Sequence, residues 1–121
     1  EGPPAPIIAY HNPYLDNVRK IDASIRPVDD SYIEKLEEKF EDAAVLAYKA
    51  GFDGVDIKSC HRYLNSELLA GYTRKGKYGE SFEGRTRFLL NTVDRIKSRL
   101  GKKFIVTVRL NIYDGIPYPY G

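Results

Sequence analysis

An α/β fold with parallel strands follows from three observations on this chain. Residues 31–50 and 81–100 carry apolar side chains at helical spacing, and short alternating runs at 54–58 and 104–111 follow them. Gly51 and Gly101 stand where each helical stretch stops, the position that favours a left-handed residue. Helix then strand, repeated once, is the order in which parallel strands are joined through packed helices.

The first thirty residues, EGPPAPIIAYHNPYLDNVRKIDASIRPVDD, are rich in Pro, Asp and Asn and read as an ordered loop, with Ile7 to Tyr10 as the strand candidate. Long irregular stretches in compact domains mark lids and binding loops. Ser31 and Glu34 then match a capping box, and Ile33, Leu36, Phe40, Ala43, Ala47 and Ala50 form one apolar stripe. In Gly54–Lys58, Val55 and Ile57 alternate with Asp56 and Lys58, so the two charged residues share a face of the strand. Leu64 to Ala70 reads as a short helix, and GYTRKGKYGES as a basic loop punctuated by glycine. Ser81 is the expected cap of the second long helix, whose stripe is Phe82, Leu89, Val93, Ile96 and Leu100. FIVTVRLN, β-branched and alternating, reads as the second core strand, and residues 112–121 as a closing Pro/Gly loop. The expected organisation is a loop region at 1–30, a helix-strand-helix-strand core at 31–111 and a loop at 112–121.

Composition narrows the class. At 121 residues the chain is one domain at most, and 42% hydrophobic residues supply a modest core. Nineteen basic residues against seventeen acidic ones give +2, too balanced to imply a nucleic-acid partner. Without a basic stripe, the ten tyrosines read as packing rather than as base-stacking surfaces. Cys60 is the lone cysteine, which excludes an internal disulfide and suits a reducing compartment. No long apolar run suggests a membrane span and no charged leader precedes an apolar segment, so a soluble cytoplasmic protein is expected.

In folds built from βα units, ligands bind at the carboxyl ends of the strands. Lys58, His61 and Tyr63 lie there, on GFDGVDIKSCHRYL, and make the candidate active site. Gly71, Gly76 and Lys77 match the spacing of a phosphate loop, but Tyr78 stands where a Ser or Thr must reach Mg²⁺, and a helix rather than a strand precedes the loop. Cys60 beside His61 suggests a thiol nucleophile, yet neighbours on a strand point to opposite faces, and a buried structural cysteine is the simpler reading. His11 and His61 alone, with no carboxylates at ligand spacing, make a poor metal site. Arg109, on the face of Ile105 and Thr107, either pairs internally with Asp56 or meets an electron-rich cofactor, and spacing does not decide between these.

Three runs in order, AAVLAYKAGFDGVDIKSCHRYLNSELL, TRKGKYGESFEGRTRFLL and VTVRLN, closely resemble the Old Yellow Enzyme family of FMN-dependent NAD(P)H:flavin oxidoreductases over residues 31–111. The family pattern is AGFDGVEIH, a His or Asn three residues later and a Tyr two beyond, then YGGSxENRxRF and a strand ending VRLS. The resemblance implies a (β/α)₈ barrel with FMN at its C-terminal mouth, of which this chain supplies about two βα units, from the third helix to the fifth strand. By position it implies that Tyr63 donates a proton to the substrate carbon and that Lys58 and His61 hold the substrate carbonyl oxygen. It places Arg109 at the flavin pyrimidine edge, where a cation stabilises the reduced ring. NAD(P)H is the implied reductant and a carbonyl-conjugated alkene the implied small-molecule substrate.

Three departures stand out. Lys58 replaces the first family His with a compact charge that aims less well than imidazole. Glu80 replaces the second Gly of YGG, and Gly84 the Asn of ENR, which weakens a helix's first turn. A whole barrel needs roughly 250 residues, so the chain, which has no start methionine, is expected to be a piece of a longer enzyme, inactive alone and prone to self-association. Two other readings compete: a non-catalytic α/β module whose Tyr- and Pro-rich loops bind a protein, and a barrel enzyme using Lys58 as a Schiff-base amine.

Overall fold

The computed structural model describes residues 5–121, which fold as α1 (Pro13–Arg19), α2 (Asp30–Lys49), β1 (Gly54–Ser59), α3 (Leu64–Leu69), α4 (Phe82–Leu100) and β2 (Ile105–Leu110). The strands pair in parallel, Gly54 opposite Ile105 and Ser59 opposite Leu110. The crossover between them carries α3 and α4, as a parallel connection requires.

One face of this sheet is covered. Ile57 packs with Ala44 of α2, Ile96 of α4 and Phe104, and Val55, Val106 and Val108 border the cluster. A second cluster joins Ile33, Leu68, Tyr78 and Phe88 to Ala9 and Tyr10 from the N-terminal segment. Phe40 touches both clusters and meets Phe88 edge to face at 5.4 Å between ring centres. The other face, with Asp56, Thr107 and Arg109, is open.

The helices start and stop for local reasons. Asp29, not Ser31, caps α2: its Oδ1 accepts from Tyr32 N at 2.8 Å and from Ser31 Oγ at 2.9 Å. Glu34 is drawn away from a capping box to Lys77, at 2.6 Å. Gly51 ends the helix with φ +88°, the left-handed residue expected there. The buried face of α2 runs Ile33–Glu37–Phe40–Ala44, which leaves Ala43 and Ala50 exposed. Apolar counting misplaces that face because Glu37 lies within it, accepting from Tyr78 Oη at 2.9 Å and Asn91 Nδ2 at 3.0 Å. Ser81 caps α4 as expected, bonding Gly84 N at 3.0 Å, but Phe82 is exposed while Phe88 and Thr92 are buried.

The N-terminal segment differs most from the expected loop. Residues 1–4 of that segment lie outside the described residues. Asn12 caps α1 by accepting from Tyr14 N and Leu15 N, and Pro13 occupies the first turn, where its missing N–H is not needed. His11 bonds Asp16 Oδ2 through Nδ1 at 2.6 Å and the Ile25 carbonyl through Nε2 at 2.7 Å. The hydrogen bond to Asp16 is the main cause that holds its pKa above the ordinary histidine value. Ile7 to Tyr10 is not a strand. Its backbone finds partners one at a time instead: Ile8 O accepts from Val28 N at 3.0 Å, while Ala9 N donates to Glu67 Oε2 and Ala9 O accepts from Arg74 Nη1, each at 2.8 Å.

The loop from Gly71 to Ser81 explains two departures from the family pattern. A Cβ on Gly84 would lie 2.1 Å from the Gly79 carbonyl oxygen, so the helix start packs directly on the loop backbone. Glu80 takes the left-handed conformation, φ +59°, that a glycine would adopt without strain. The loop holds a carboxylate of the chain itself: Lys77 N donates to Asp30 Oδ2 at 2.7 Å, at the position a phosphate would take.

Candidate active site

At the carboxyl end of β1, Lys58 lies on the open face with its ammonium over the Tyr63 ring, 3.7 Å from the ring centre. Its register partner across the sheet is Arg109. Two residues back along the strand, Asp56 accepts from Thr107 Oγ1 at 2.9 Å and from Arg109 Nε at 2.5 Å. The Arg109 bond, followed by that of Thr107, holds the Asp56 carboxyl below the usual carboxylate range. The internal pair left open by the sequence is therefore formed. It uses only Nε, and the two terminal nitrogens of Arg109 make no hydrogen bond among the described residues; the residue is 59% exposed in its side chain.

The chain leaves β1 through a turn with no glycine. His61 and Arg62 both lie in the left-handed region, at φ +61° and +58°. For L-residues this costs about 1–2 kcal/mol each. The turn is tied on both sides: Asn65 Nδ2 donates to Lys58 O at 3.0 Å, and His61 N donates to Asn111 Oδ1 at 3.3 Å. Tyr63 follows as the N-cap of α3, without a side-chain capping bond and 63% exposed.

The structure thus brings Lys58, Tyr63 and Arg109 together on one face. His61 is tied through its backbone N–H to Asn111 rather than to any of the three, and its exposed ring makes no hydrogen bond among the described residues. Cys60, beside it, is buried and unpaired.

Sequence reasoning missed Arg62, Asn111 and Asp114. The Arg62 side chain is 9% exposed and donates from Nη1 to Asp114 Oδ2 at 3.1 Å and from Nη2 to Tyr10 Oη at 2.7 Å. Asn111 Nδ2 donates to the other Asp114 oxygen at 2.9 Å. Most of these partners are some fifty positions apart, so no spacing announces them. Among the described residues no helix is long and apolar enough to cross a membrane, and no group of three or more His, Cys, Asp or Glu could hold a metal.

Parallel strands fed by packed helices, with polar side chains at the strand ends on the face away from the helices, are units of a βα barrel. The chain belongs to the NADH:flavin oxidoreductase / NADH oxidase family, whose sequence model matches residues 9–118. It is 36% identical over 93 residues to an NADH-dependent flavin oxidoreductase of Hypocrea jecorina, covering 75% of this chain and 23% of that protein. Against a cinnamate reductase of Clostridium sporogenes it is 36% identical over 90 residues, 72% of this chain and 14% of the other. The solved structure of an old yellow enzyme homologue from Zymomonas mobilis superposes with a TM-score of 0.63 at 37% identity, over 70% of this chain and 24% of that one. The chain therefore spans less than a quarter of the length of these relatives. It is part of a (β/α)₈ barrel of the Old Yellow Enzyme type, a family whose cofactor is FMN and whose reductant is NAD(P)H.

Proposed function

We propose that this chain forms the substrate-facing wall of an FMN enzyme that reduces an alkene conjugated to a carbonyl group. The observation that carries the reading is the grouping of the Lys58 ammonium, the Tyr63 phenol and the Arg109 guanidinium on the open face, at the carboxyl ends of two parallel strands. FMN, when bound, would take hydride from NAD(P)H and supply it to the β-carbon of the alkene. Lys58 and His61 hold the carbonyl oxygen, whose negative charge grows as the β-carbon is reduced. Tyr63, exposed and free of a capping bond, gives its phenolic proton to the α-carbon and completes the addition of one hydride and one proton across the double bond.

Arg109 suits one edge of the cofactor. Asp56 fixes its Nε, so the guanidinium is oriented while its terminal nitrogens remain open toward the face where the flavin pyrimidine would lie. The lone buried Cys60 is in keeping with a reducing, cytoplasmic setting. The 121-residue chain alone has little reductase activity on this reading.

An FMN titration followed by flavin fluorescence tests it. Saturable binding is expected in protein that holds the flavin, weakened about tenfold by Arg109→Ala, the loss of one charge-assisted contact. Binding of equal strength in wild type and Arg109→Ala would overturn the assignment of Arg109. The open face also carries Ile105 at its edge, with Leu110 and Ile112 exposed beyond it. The isolated chain should therefore self-associate through this surface, and sedimentation should show Ile105→Lys shifting it toward monomer. A wild type that sediments as a monomer at all concentrations would remove that part of the proposal.

A further inference from the structure

We propose that Arg62 is a positioning residue that aims His61 and Tyr63, and that it acts through a closed ring of hydrogen bonds to the loop after β2. The proposal deepens the reading above and rests on it for the roles of His61 and Tyr63. Successive left-handed residues at 61 and 62 turn the chain so that His61 and Tyr63 emerge on the surface while Arg62 points inward. Two adjacent L-residues rarely stay in this conformation unless the surroundings hold them.

Arg62 supplies the hold. Nη1 donates to Asp114, whose other oxygen accepts from Asn111, which in turn accepts from His61 N. The ring thus leaves the β1 turn at Arg62 and returns to it at the adjacent residue. Nη2 extends the anchorage to Tyr10 Oη, and at 3.4 Å to the Tyr120 carbonyl, so the N-terminal segment and the C-terminal tail meet on the same guanidinium. A planar fork with donors in fixed directions can hold acceptors on different segments at once, and a lysine ammonium cannot do so with the same geometry. Losing the fork frees a strained turn, and the side chains on either side of it swing with the backbone.

The contact between Lys58 and Tyr63 reports on that aim. The Lys58 ammonium lies over the face of the Tyr63 ring, so the ring current should move the adjoining ε-methylene protons upfield. The experiment compares these resonances in wild type, Arg62→Ala and Tyr63→Leu, the last giving the position without a ring. Arg62→Ala is expected to move them at least half of the way to the Tyr63→Leu position, while the methyl resonances of Ile57 and Ile96 stay dispersed. A merely stabilising role would leave the shift of the folded molecules unchanged. An unchanged shift in folded Arg62→Ala, or a wild-type shift equal to that of Tyr63→Leu, overturns the proposal. Where Arg62→Ala does not fold, Asp114→Asn weakens the ring while leaving the bonds to Tyr10 and Tyr120, and is read in the same way. In flavin-loaded enzyme, Arg62→Ala should lower kcat for alkene reduction about 10–100-fold with the KM for NAD(P)H unchanged. Tyr63→Phe keeps the ring current and removes the proton. If it leaves alkene reduction unaltered, the functional reading fails while the positioning of the side chain still stands or falls by the spectrum.

Discussion

The two faces of the β1–β2 sheet come from the same twelve residues and differ in what they do. On the helix side, Ile57 is almost fully buried among Ala44, Ile96 and Phe104. On the open side, Asp56 binds Thr107 and Arg109 while the Lys58 ammonium lies over the Tyr63 ring, all within reach of solvent, and these charged contacts are screened. Strand alternation alone separates the two sets, one residue apart. Stability is concentrated where side chains leave water, and the proposed chemistry where charged groups remain reachable.

Substitutions on adjacent residues break that comparison most directly. Ile57→Ala should cost about 3 kcal/mol in urea unfolding, since it removes buried methyls from a packed cluster. Lys58→Ala, one position on, should change the unfolding free energy by no more than about 0.5 kcal/mol. Equal losses at both positions would mean that the open face is covered in solution.

Strain gives a subtler contrast. His61 and Arg62 are strained beside the candidate site, whereas Glu80 is strained in the loop that supports the helices. Glu80→Gly should stabilise the chain by about 0.5–1 kcal/mol, the relief of the left-handed conformation less an exposed ion pair with Lys75. Thermal melting reads this, and flavin affinity should not move. A lower melting temperature would show that the Lys75 pair outweighs the strain.

The smallest effect lies before the sheet begins. The folded pKa of His11 is raised by its bond to Asp16, so the protonated ring stabilises the fold fully below the unfolded value of about 6.5. That contribution disappears as pH rises through the higher folded value. Wild type should therefore lose stability across this alkaline step, and His11→Gln should show a flatter profile in melts from pH 5 to 9. Parallel profiles would mean that the ring titrates alike in the folded and unfolded chain.

Much of this architecture was legible from the chain. The long helices and both strands follow from periodicity, because the residues that define them pack against neighbours with the same repeat. The helix at Pro13–Arg19 is masked in the sequence although Asn12 and Pro13 are a cap and a first-turn proline, since the surrounding Pro, Asp and Asn also signal turns. Lys58, His61, Tyr63 and Arg109 were nameable because strand ends and a family pattern mark their positions. Arg62 was not, since an arginine at a left-handed turn carries no compositional sign and its partners are distant in sequence. On sequence grounds Gly84 is a weakness at a helix start, and it becomes intelligible only with the Gly79 carbonyl against it.

Phe40 has a consequence for how the molecule comes apart. It is the side chain of α2 that belongs to both apolar clusters, the one around Phe88 and the one beneath the sheet. Together with α4, which carries Phe88 in one cluster and Ile96 in the other, it should couple the two so that they melt as one cooperative unit. Shortened to alanine, the joint would open into two smaller bodies with separate opening equilibria. Amides of β1 and β2 would then exchange with solvent independently of those around Tyr78, a division of the molecule that native packing conceals.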